Sequence, residues 1–331
     1  MAVALQELYV QEINDTKKVE SQINPTVSYL EKELKVPNQK IMNDDYDVKP
    51  ILKWVGGKRQ LLPDIREFYK NLSPNKSVEP FFGGGAVYFD ILNTLGLEHK
   101  ETAIINDVNQ DLIDMYKNIK SSPEELIYCC NALEKDYKKY DYYYIREKFN
   151  GVDGEKNKID RYEGIERAAA LIVINRTCFN GLYRVNSKGL FNVPKGSYKN
   201  PTIIDEENLY KVSTLLPKTK NIRCQEFDEI KDIRKGDLVY FDPPYHPLNE
   251  TSSFTSYSGA FGAEEQIRLR DYFQKLNQKG VHVILSNSSA PFIKGIYSEN
   301  RIHEVFCARN INSKSDKRGK IPEYLILGDT I

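Results

Sequence analysis

The chain has little of what several protein classes require. Its five cysteines (Cys129, Cys130, Cys178, Cys224, Cys307) show no CxxC spacing, and its four histidines (His99, His246, His282, His303) form no ligand cluster. That scarcity argues against a disulfide framework and against structural zinc; no metal is expected, and the setting is a reducing cytoplasm. No run is apolar for long enough to cross a bilayer and no signal peptide is recognisable, so a soluble protein without a membrane partner is expected. Net charge is missing too, with 47 Lys and Arg against 47 Asp and Glu. Balance of this kind excludes a uniformly basic or acidic surface but not a segregated one.

What is present describes a globular α/β protein. The chain has 331 residues, 40% of them hydrophobic and 11% aromatic, enough for two packed units. Residues 1–48 read as a polar N-terminal extension of no legible role: Leu5 to Ile13 has helical spacing and Pro37 to Pro50 is linker-like. Beyond it, apolar strands are expected around Val78, Ile104, Ile222 to Glu226, Leu238 to Phe241 and Val281 to Leu285. A terminal pair, Arg301 to Ala308 and Glu323 to Leu327, follows. Helices such as Gly262 to Lys279 alternate with them, which predicts an open, mostly parallel sheet. A helix-rich insert runs from about residue 111 to 204; its tyrosine-laden stretch Tyr137 to Tyr144 could touch DNA, but packing against neighbouring helices is the preferred expectation.

The sharpest motif is Asp242-Pro243-Pro244-Tyr245, directly behind the apolar run Asp237 to Phe241. An acid, two prolines and an aromatic ring at the end of a buried strand present a carboxylate acceptor, a rigid carbonyl and a flat stacking face in one loop. That set suits a planar base bearing an exocyclic amine. Such an amine delocalises its lone pair into the ring, so acceptors must hold it and stabilise the positive charge that grows as it reacts. Asp242 and the Pro243 carbonyl can do both, and Tyr245 can stack. The alternative is an ordinary strand-ending turn.

Upstream, Ser77 to Phe82 runs into Gly83-Gly84-Gly85 and the helix-like Ala86 to Leu92. Strand, glycine turn and helix open a nucleotide-binding unit, because glycine lets backbone approach a ligand at a helix N-terminus. The spacing is not GxGxxG. After a second apolar strand, Thr102 to Ile105, Asn106-Asp107-Val108-Asn109 places Asp107 where an acid takes ribose hydroxyls. Asp107 could equally cap the helix from Gln110 to Ile119.

Between Asn175 and Asn200 lie five basic residues (Arg176, Arg184, Lys188, Lys195, Lys199) and no acid. Asn175 to Asn186, the turn Ser187 to Gly189 and Leu190 to Pro194 read as two short strands joined by a polar turn. A hairpin of that composition can enter or straddle a DNA groove, Arg184 facing a guanine and Leu182 a thymine methyl; a solvated basic loop is the alternative. Two more basic stretches, Lys53 to Lys76 and Arg309 to Lys320, show that the charges are segregated along the chain.

Taken together, Lys53-Trp54-Val55-Gly56-Gly57-Lys58, Glu79 to Gly85, Asn106 to Asn109, Phe179 to Arg184, Phe191 to Pro194 and Asp242 to Tyr245 resemble, in order, the Dam-type (D12 class) DNA adenine-N6 methyltransferases. The likeness runs from about Lys49 to Gly328. It implies a Rossmann-like, S-adenosylmethionine-dependent catalytic domain over residues 49–110 and 205–331, with a target-recognition domain over 111–204. It implies methyl transfer to a flipped adenine in double-stranded DNA, at GATC, by a monomer. Residue by residue, it implies catalysis by Asp242, Pro243, Pro244 and Tyr245. Cofactor contacts would come from Trp54, Gly57, Lys58, Phe82, Gly83, Gly85, Asp107 and Asp242. Where similar enzymes carry an Asp-Phe pair, this chain has Glu226 and Phe227. DNA contacts would come from Lys53, Arg176, Asn180, Leu182, Arg184, Asn186, Pro194, Tyr198 and Lys199. Trp54, the single tryptophan, could instead be core packing. Related amine acceptors, namely cytosine N4 and RNA adenine, remain open, as does an inactive DNA-binding scaffold.

Overall fold

The structure, a computed structural model, describes residues 48–54, 56–248, 261–308 and 320–331. The readings for the N-terminal extension before residue 48 and for the basic stretch over 309–319 lie outside the described residues.

Seven strands form one sheet in the order β3-β2-β1-β4-β5-β7-β6. They are β1 (Ser77–Glu79), β2 (Ile104–Asn106), β3 (Ile222–Arg223), β4 (Leu238–Phe241), β5 (His282–Ser288), β6 (Arg301–Ala308) and β7 (Lys320–Leu327). The first five run parallel, and β7 enters antiparallel between β5 and β6. The expectation of a mostly parallel α/β sheet therefore holds. β4 is buried at all four residues, which its continuous apolar run demands of a strand covered on both faces. Leu238 and Tyr240 point to one layer, with Leu61, Ile65, Val87 and Ile91 from α1 (Leu62–Tyr69), its approach and α2 (Ala86–Leu95). Val239 and Phe241 point to the other. There they meet Leu269, Phe273 and Leu276 of a helix over Ala263–Gln278 and Ile293 of a short one over Pro291–Ile296. Truncating a fully buried aromatic such as Phe241 to alanine typically costs about 3–5 kcal/mol.

The insert is helical, as expected: α3 (Gln110–Ser121), α4 (Pro123–Tyr140), α5 (Tyr142–Asn150) and α6 (Gly164–Thr177) precede α7 (Glu206–Leu215). Residues Ala168 to Asn175 of α6 are all buried, so this helix is the insert's hub. Of the tyrosine stretch only Tyr142 is buried; Tyr140 and Tyr143 are exposed, which corrects the expectation that the run packs inward. The reason is the break at Asp141 (φ 83°), which ends α4 and turns the following helix so that one ring faces the hub.

Two strand readings are also corrected. β3 stops at Arg223 instead of running to Glu226. The buried Asn106 side chain takes over from the ladder there, its Oδ1 accepting from Gln225 N–H (3.2 Å) and its amide donating to the Gln225 carbonyl (2.9 Å). The hairpin between 175 and 194 is not two strands. Asn175 to Thr177 form the last turn of α6, and only isolated antiparallel bridges, Cys178 to Lys195 and Val185 to Phe191, join the arms. Asn180 and Gly181 at positive φ (55° and 63°) and Pro194, which has no N–H, break the ladder between them.

Among the described residues no helix is long and apolar enough to cross a membrane, and no group of three or more His, Cys, Asp or Glu could hold a metal ion.

Candidate active site

β1 and β4 are neighbours, Val78 lying opposite Val239, and the strand order reverses between them. In an open α/β sheet a crevice forms at the carboxyl ends of strands at such a reversal. Both principal motifs leave the sheet at this point.

From β1 the chain passes through Phe82 to Gly83 and Gly85, whose φ angles are 49° and 72°. A Cβ on Gly83 would stand 2.8 Å from Trp54 Cδ1, and one on Gly85 would stand 2.6 Å from Phe82 Cζ. Glycine is thus required by backbone sign and by closeness alike. The half-buried Trp54 indole lies against the glycine turn, outside the two core clusters that flank the sheet, with the Tyr183 ring 5.5 Å away. The Gly83 carbonyl accepts from Tyr116 Oη (3.1 Å), and Phe82 packs edge-on to Tyr116 and Tyr88.

Asp107, at the end of β2, completes this wall. Its Oδ2 accepts the Gly83 N–H and its Oδ1 the Asn109 N–H, each at 3.0 Å. The cap of α3 is Asn109, whose side chain accepts from Leu112 N–H, so Asp107 holds the glycine turn and is not the helix cap. Burial pushes its carboxyl up, and the N–H groups of Asn109, Gly83 and Val108 pull it back.

From β4 comes the loop Asp242 to Tyr245. Lys58, buried in a 3-10 turn after Gly57, places its Nζ 2.7 Å from Asp242 Oδ1 and 4.6 Å from the centre of the Tyr245 ring. Gly57 itself is exposed. Burial pushes the Asp242 carboxyl up to about 6; Lys58 opposes this and Glu323 adds to it. Glu79, at the end of β1, is driven well above the ordinary carboxylate range by burial first and by the charge of Asp242 second. Its Oε1 has no hydrogen-bond partner among the described residues.

The loop's backbone is clamped by two fully buried amides. Gln266 Nε2 donates to the Pro244 carbonyl (2.8 Å), and Asn287 Nδ2 donates to Gln266 Oε1 (3.0 Å). Asn287 Oδ1 in turn accepts from His246 N–H (3.2 Å). Tyr245 Oη donates to Glu323 Oε2 of β7 at 2.8 Å.

Glu79, Asn106, Gln266, Asn287 and Glu323 were not in the residue set drawn from the sequence. Glu79 and Asn106 stood inside quoted motifs. Ser286-Asn287-Ser288 continue an apolar strand with polar residues, a signal that could have been used, whereas nothing in an amphipathic helix marks Gln266.

Glu226 and Phe227 sit apart from the charged cluster. Glu226 is exposed and pairs with Arg268 (2.6 Å), while Phe227 is buried in the core with its ring 5.4 Å from that of Phe81.

The arm from 178 to 199 is docked on the insert. Asn150 pairs with both backbone groups of Phe191 (2.8 and 3.0 Å), and Tyr142 donates to the Val193 carbonyl (2.8 Å). Buried Asn175 fastens the arm to the segment leading to Trp54 by accepting from Lys53 N–H (2.8 Å) and donating to the Gly181 carbonyl (2.9 Å). Asn180, Arg184, Asn186, Pro194, Lys199 and Lys53 are exposed along it, with Leu182 and Tyr198 half-buried. Arg184 Nε donates to Asn192 Oδ1 (2.7 Å), Lys53 Nζ lies 4.2 Å from the centre of the Tyr198 ring, and Asn186 Oδ1 accepts from Lys188 and Leu190 N–H in the turn. Arg176 is not presented with this set. It is half-buried at the end of α6 and donates to the Pro50 carbonyl (3.2 Å).

The sequence itself has close counterparts. Residues 54–311 match the D12 class N6 adenine-specific DNA methyltransferase family. The chain is 42% identical over 289 residues to the Type II methyltransferase M1.LlaDCHI of Lactococcus lactis subsp. cremoris, covering 86% of this chain and 97% of that one. It is 44% identical over 296 residues to the Type II methyltransferase M.MjaIII of Methanocaldococcus jannaschii (85% and 99%) and 31% identical over 297 residues to the DNA adenine methylase of Haemophilus influenzae (88% and 97%). With the family profile spanning most of the chain and the glycine turn and the Asp242 loop meeting at one crevice, the chain belongs to the D12 class of N6 adenine-specific DNA methyltransferases, which are enzymes.

Proposed function

We propose that this enzyme flips an adenine out of duplex DNA and transfers to its N6 the methyl group of S-adenosylmethionine, with GATC as its target. The observation that carries the reading is the loop at the sheet's reversal point. The Pro244 carbonyl is occupied by Gln266, whereas among the described residues no donor takes up the Pro243 carbonyl. Asp242 and Pro243 therefore form a pair of acceptors for the two N6 hydrogens, and the Tyr245 ring offers a stacking face. Asp242 stabilises the positive charge that grows on N6; it need not be a strong base, since the proton leaves after the amine has become cationic. Extracting the base costs a few kcal/mol, which stacking on Tyr245 and contacts of the arm offset.

The residues present fit the cofactor. Gly83 leaves a cradle that a Cβ would fill, and Glu79 holds an unpartnered buried carboxyl oxygen within the field of Asp242. Two acids, Asp242 and Glu323, against one lysine suit a cation, while burial and the charge of Asp242 hold Glu79 towards its neutral form. Asp107 would take the ribose, Trp54 and Phe82 would flank the adenosine, and Lys58 and the glycine turn would hold the carboxylate end. When bound, S-adenosylmethionine supplies an activated methyl on a sulfonium, leaving alignment and charge stabilisation to the protein. In the arm, Arg184 is the reader of guanine, Leu182 contacts a thymine methyl, and Lys53, Tyr198 and Lys199 hold phosphates. Residues 111–204 then act as the recognition domain of a catalytic unit made of 49–110 and 205–331, working as a monomer.

The test is tritiated methyl transfer to synthetic duplexes carrying GATC and each single-base variant of it, with the product base identified by chromatography. Label in N6-methyladenine, fastest on GATC, is expected. Equal rates on all variants would remove the target assignment, and label on another base would overturn the acceptor.

A further inference from the structure

We propose that Glu323, on the antiparallel strand β7, is a positioning residue for methyl transfer: by accepting the Tyr245 phenol hydrogen it fixes the plane of the ring on which the target base stacks. The inference rests on the reading of Tyr245 as that stacking face and adds a residue from the far side of the sheet's reversal point.

The geometry is specific. A tyrosine ring has two soft torsions, and its swing is stopped only by what meets its faces and its hydroxyl. Lys58 Nζ meets one face of Tyr245 at 4.6 Å from the centre, and Glu323 Oε2 meets the hydroxyl at 2.8 Å. The backbone beneath is already fixed, because Pro244 O and His246 N–H are both taken by the Gln266 and Asn287 clamp. The remaining freedom is that of the ring, and the one hydrogen bond on its tip removes it. Glu323 is itself placed by register: it lies opposite Ser288 of β5 and Val305 of β6, inside a ladder with partners on both sides. A carboxylate here is costly in a half-buried strand and needs an interaction that only a strong acceptor supplies. Its charge also acts on Asp242, which is faced by Lys58, Glu79, Tyr240, Tyr245 and Glu323; Cys307, on β6, lies within the field of Glu323 and Lys58.

The experiment is a double-mutant cycle on the full chain with Y245F, E323L and the pair, plus E323Q and Y245A. Single-turnover transfer at saturating cofactor and the fluorescence of 2-aminopurine at the target position are the readouts; cofactor affinity by calorimetry and far-UV circular dichroism monitor folding. E323L and Y245F should each slow transfer by about tenfold with cofactor affinity within twofold of wild type, and the pair should be no slower than the worse single variant, because both remove the same bond. E323Q, whose amide oxygen can accept the same hydrogen, should recover most of the loss and move the acid limb of the pH profile to lower pH. Multiplied defects in the pair, or no rescue by E323Q, would make Glu323 merely a strand residue. A slow Y245A with an E323L of wild-type rate would overturn the role of Glu323 alone. Wild-type transfer by Y245A would reject the stacking face and this inference with it.

Discussion

Lys58 offers the most incisive test of the acceptor loop, because it acts on Asp242 through charge and its effect can be undone by pH. In the wild type, burial raises Asp242 to about 6 while the ammonium 2.7 Å away holds it down. An opposite charge this close typically lowers a carboxyl by about 1–3 pK units. Replacing Lys58 by the similarly long but uncharged methionine should therefore move the apparent value to about 7–9. Only the ionised form accepts both the hydrogen and the growing charge of N6, so activity rises with pH through the Asp242 pKa. At pH 7 the ionised fraction falls from about nine-tenths to between about one-half and one-hundredth. The rate constant kcat/KM for DNA, which at saturating cofactor reports the cofactor-loaded enzyme before DNA binds, should drop about two- to hundredfold at pH 7 and recover as the pH approaches 9. The assay is a pH profile of methyl transfer from 5 to 9.5, with cofactor near saturation to separate any loss of binding. An acid limb that stays near 6 while the rate falls evenly at every pH would refute the electrostatic role and leave Lys58 as a binding residue only.

The raised Asp242 pKa also has a folding consequence. A carboxyl near 6 in the folded state against an ordinary 3.8 favours folding fully below about pH 4, and this contribution is lost as pH rises through 6. Urea unfolding of the ligand-free protein at pH 3 to 7 should show the stability difference between wild type and D242N moving against wild type by up to about 3 kcal/mol; a constant difference would contradict the shift. Asp107→Ala should weaken cofactor binding by about 1.5–3 kcal/mol in calorimetry, the worth of a charged acceptor on the ribose, and unchanged affinity would reduce Asp107 to a tie for Gly83. Gly83→Ala must expel the Trp54 indole from 2.8 Å and strain a φ of 49°, so affinity and indole fluorescence should change together. Arg184→Ala should lose about 1–3 kcal/mol of discrimination at one base pair, whereas Lys199→Ala should weaken all sequences alike with a shallower salt dependence; rates on single-base variants at two salt concentrations decide between them.

Much of this site was legible because its residues are forced by local rules. A glycine at positive φ under an indole, an acid ending a strand and prolines after a buried apolar run each leave a mark in the sequence. The sheet was legible for the same reason, since strands such as Leu238–Phe241, buried on both faces, must be apolar throughout. What escaped depends on distant partners. Gln266 matters only because its helix passes under the Pro244 carbonyl, and Glu323 only because β7 is inserted between β5 and β6. Two short segments around the polar turn Ser187 to Gly189 suggest a hairpin ladder, whereas Asn180 and Gly181 adopt a backbone that interrupts one. Arg176 was grouped with the exposed cations by composition, although helical phase at the end of α6 turns it towards Pro50.

Charge shows the same limit at the scale of the whole chain. A balance of 47 against 47 gives no hint of a DNA substrate, yet the folded chain sorts its charges by place. Glu79, Asp107, Asp242 and Glu323 gather at the crevice with Lys58 as the cation paired to Asp242, while Arg184, Lys188 and Lys199 stand exposed along the arm and Lys195 is engaged by Asp141. On the function proposed above, a cationic methyl donor and a polyanionic duplex would each meet complementary charge without competing for the same surface. The segregation depends on topology: Glu79, Asp107 and Asp242 lie at or just past the ends of β1, β2 and β4 and Glu323 lies within β7, an order in the sheet that no composition statistic records, and the cations lie on an arm that buried Asn175 ties to the backbone of Lys53 beside Trp54.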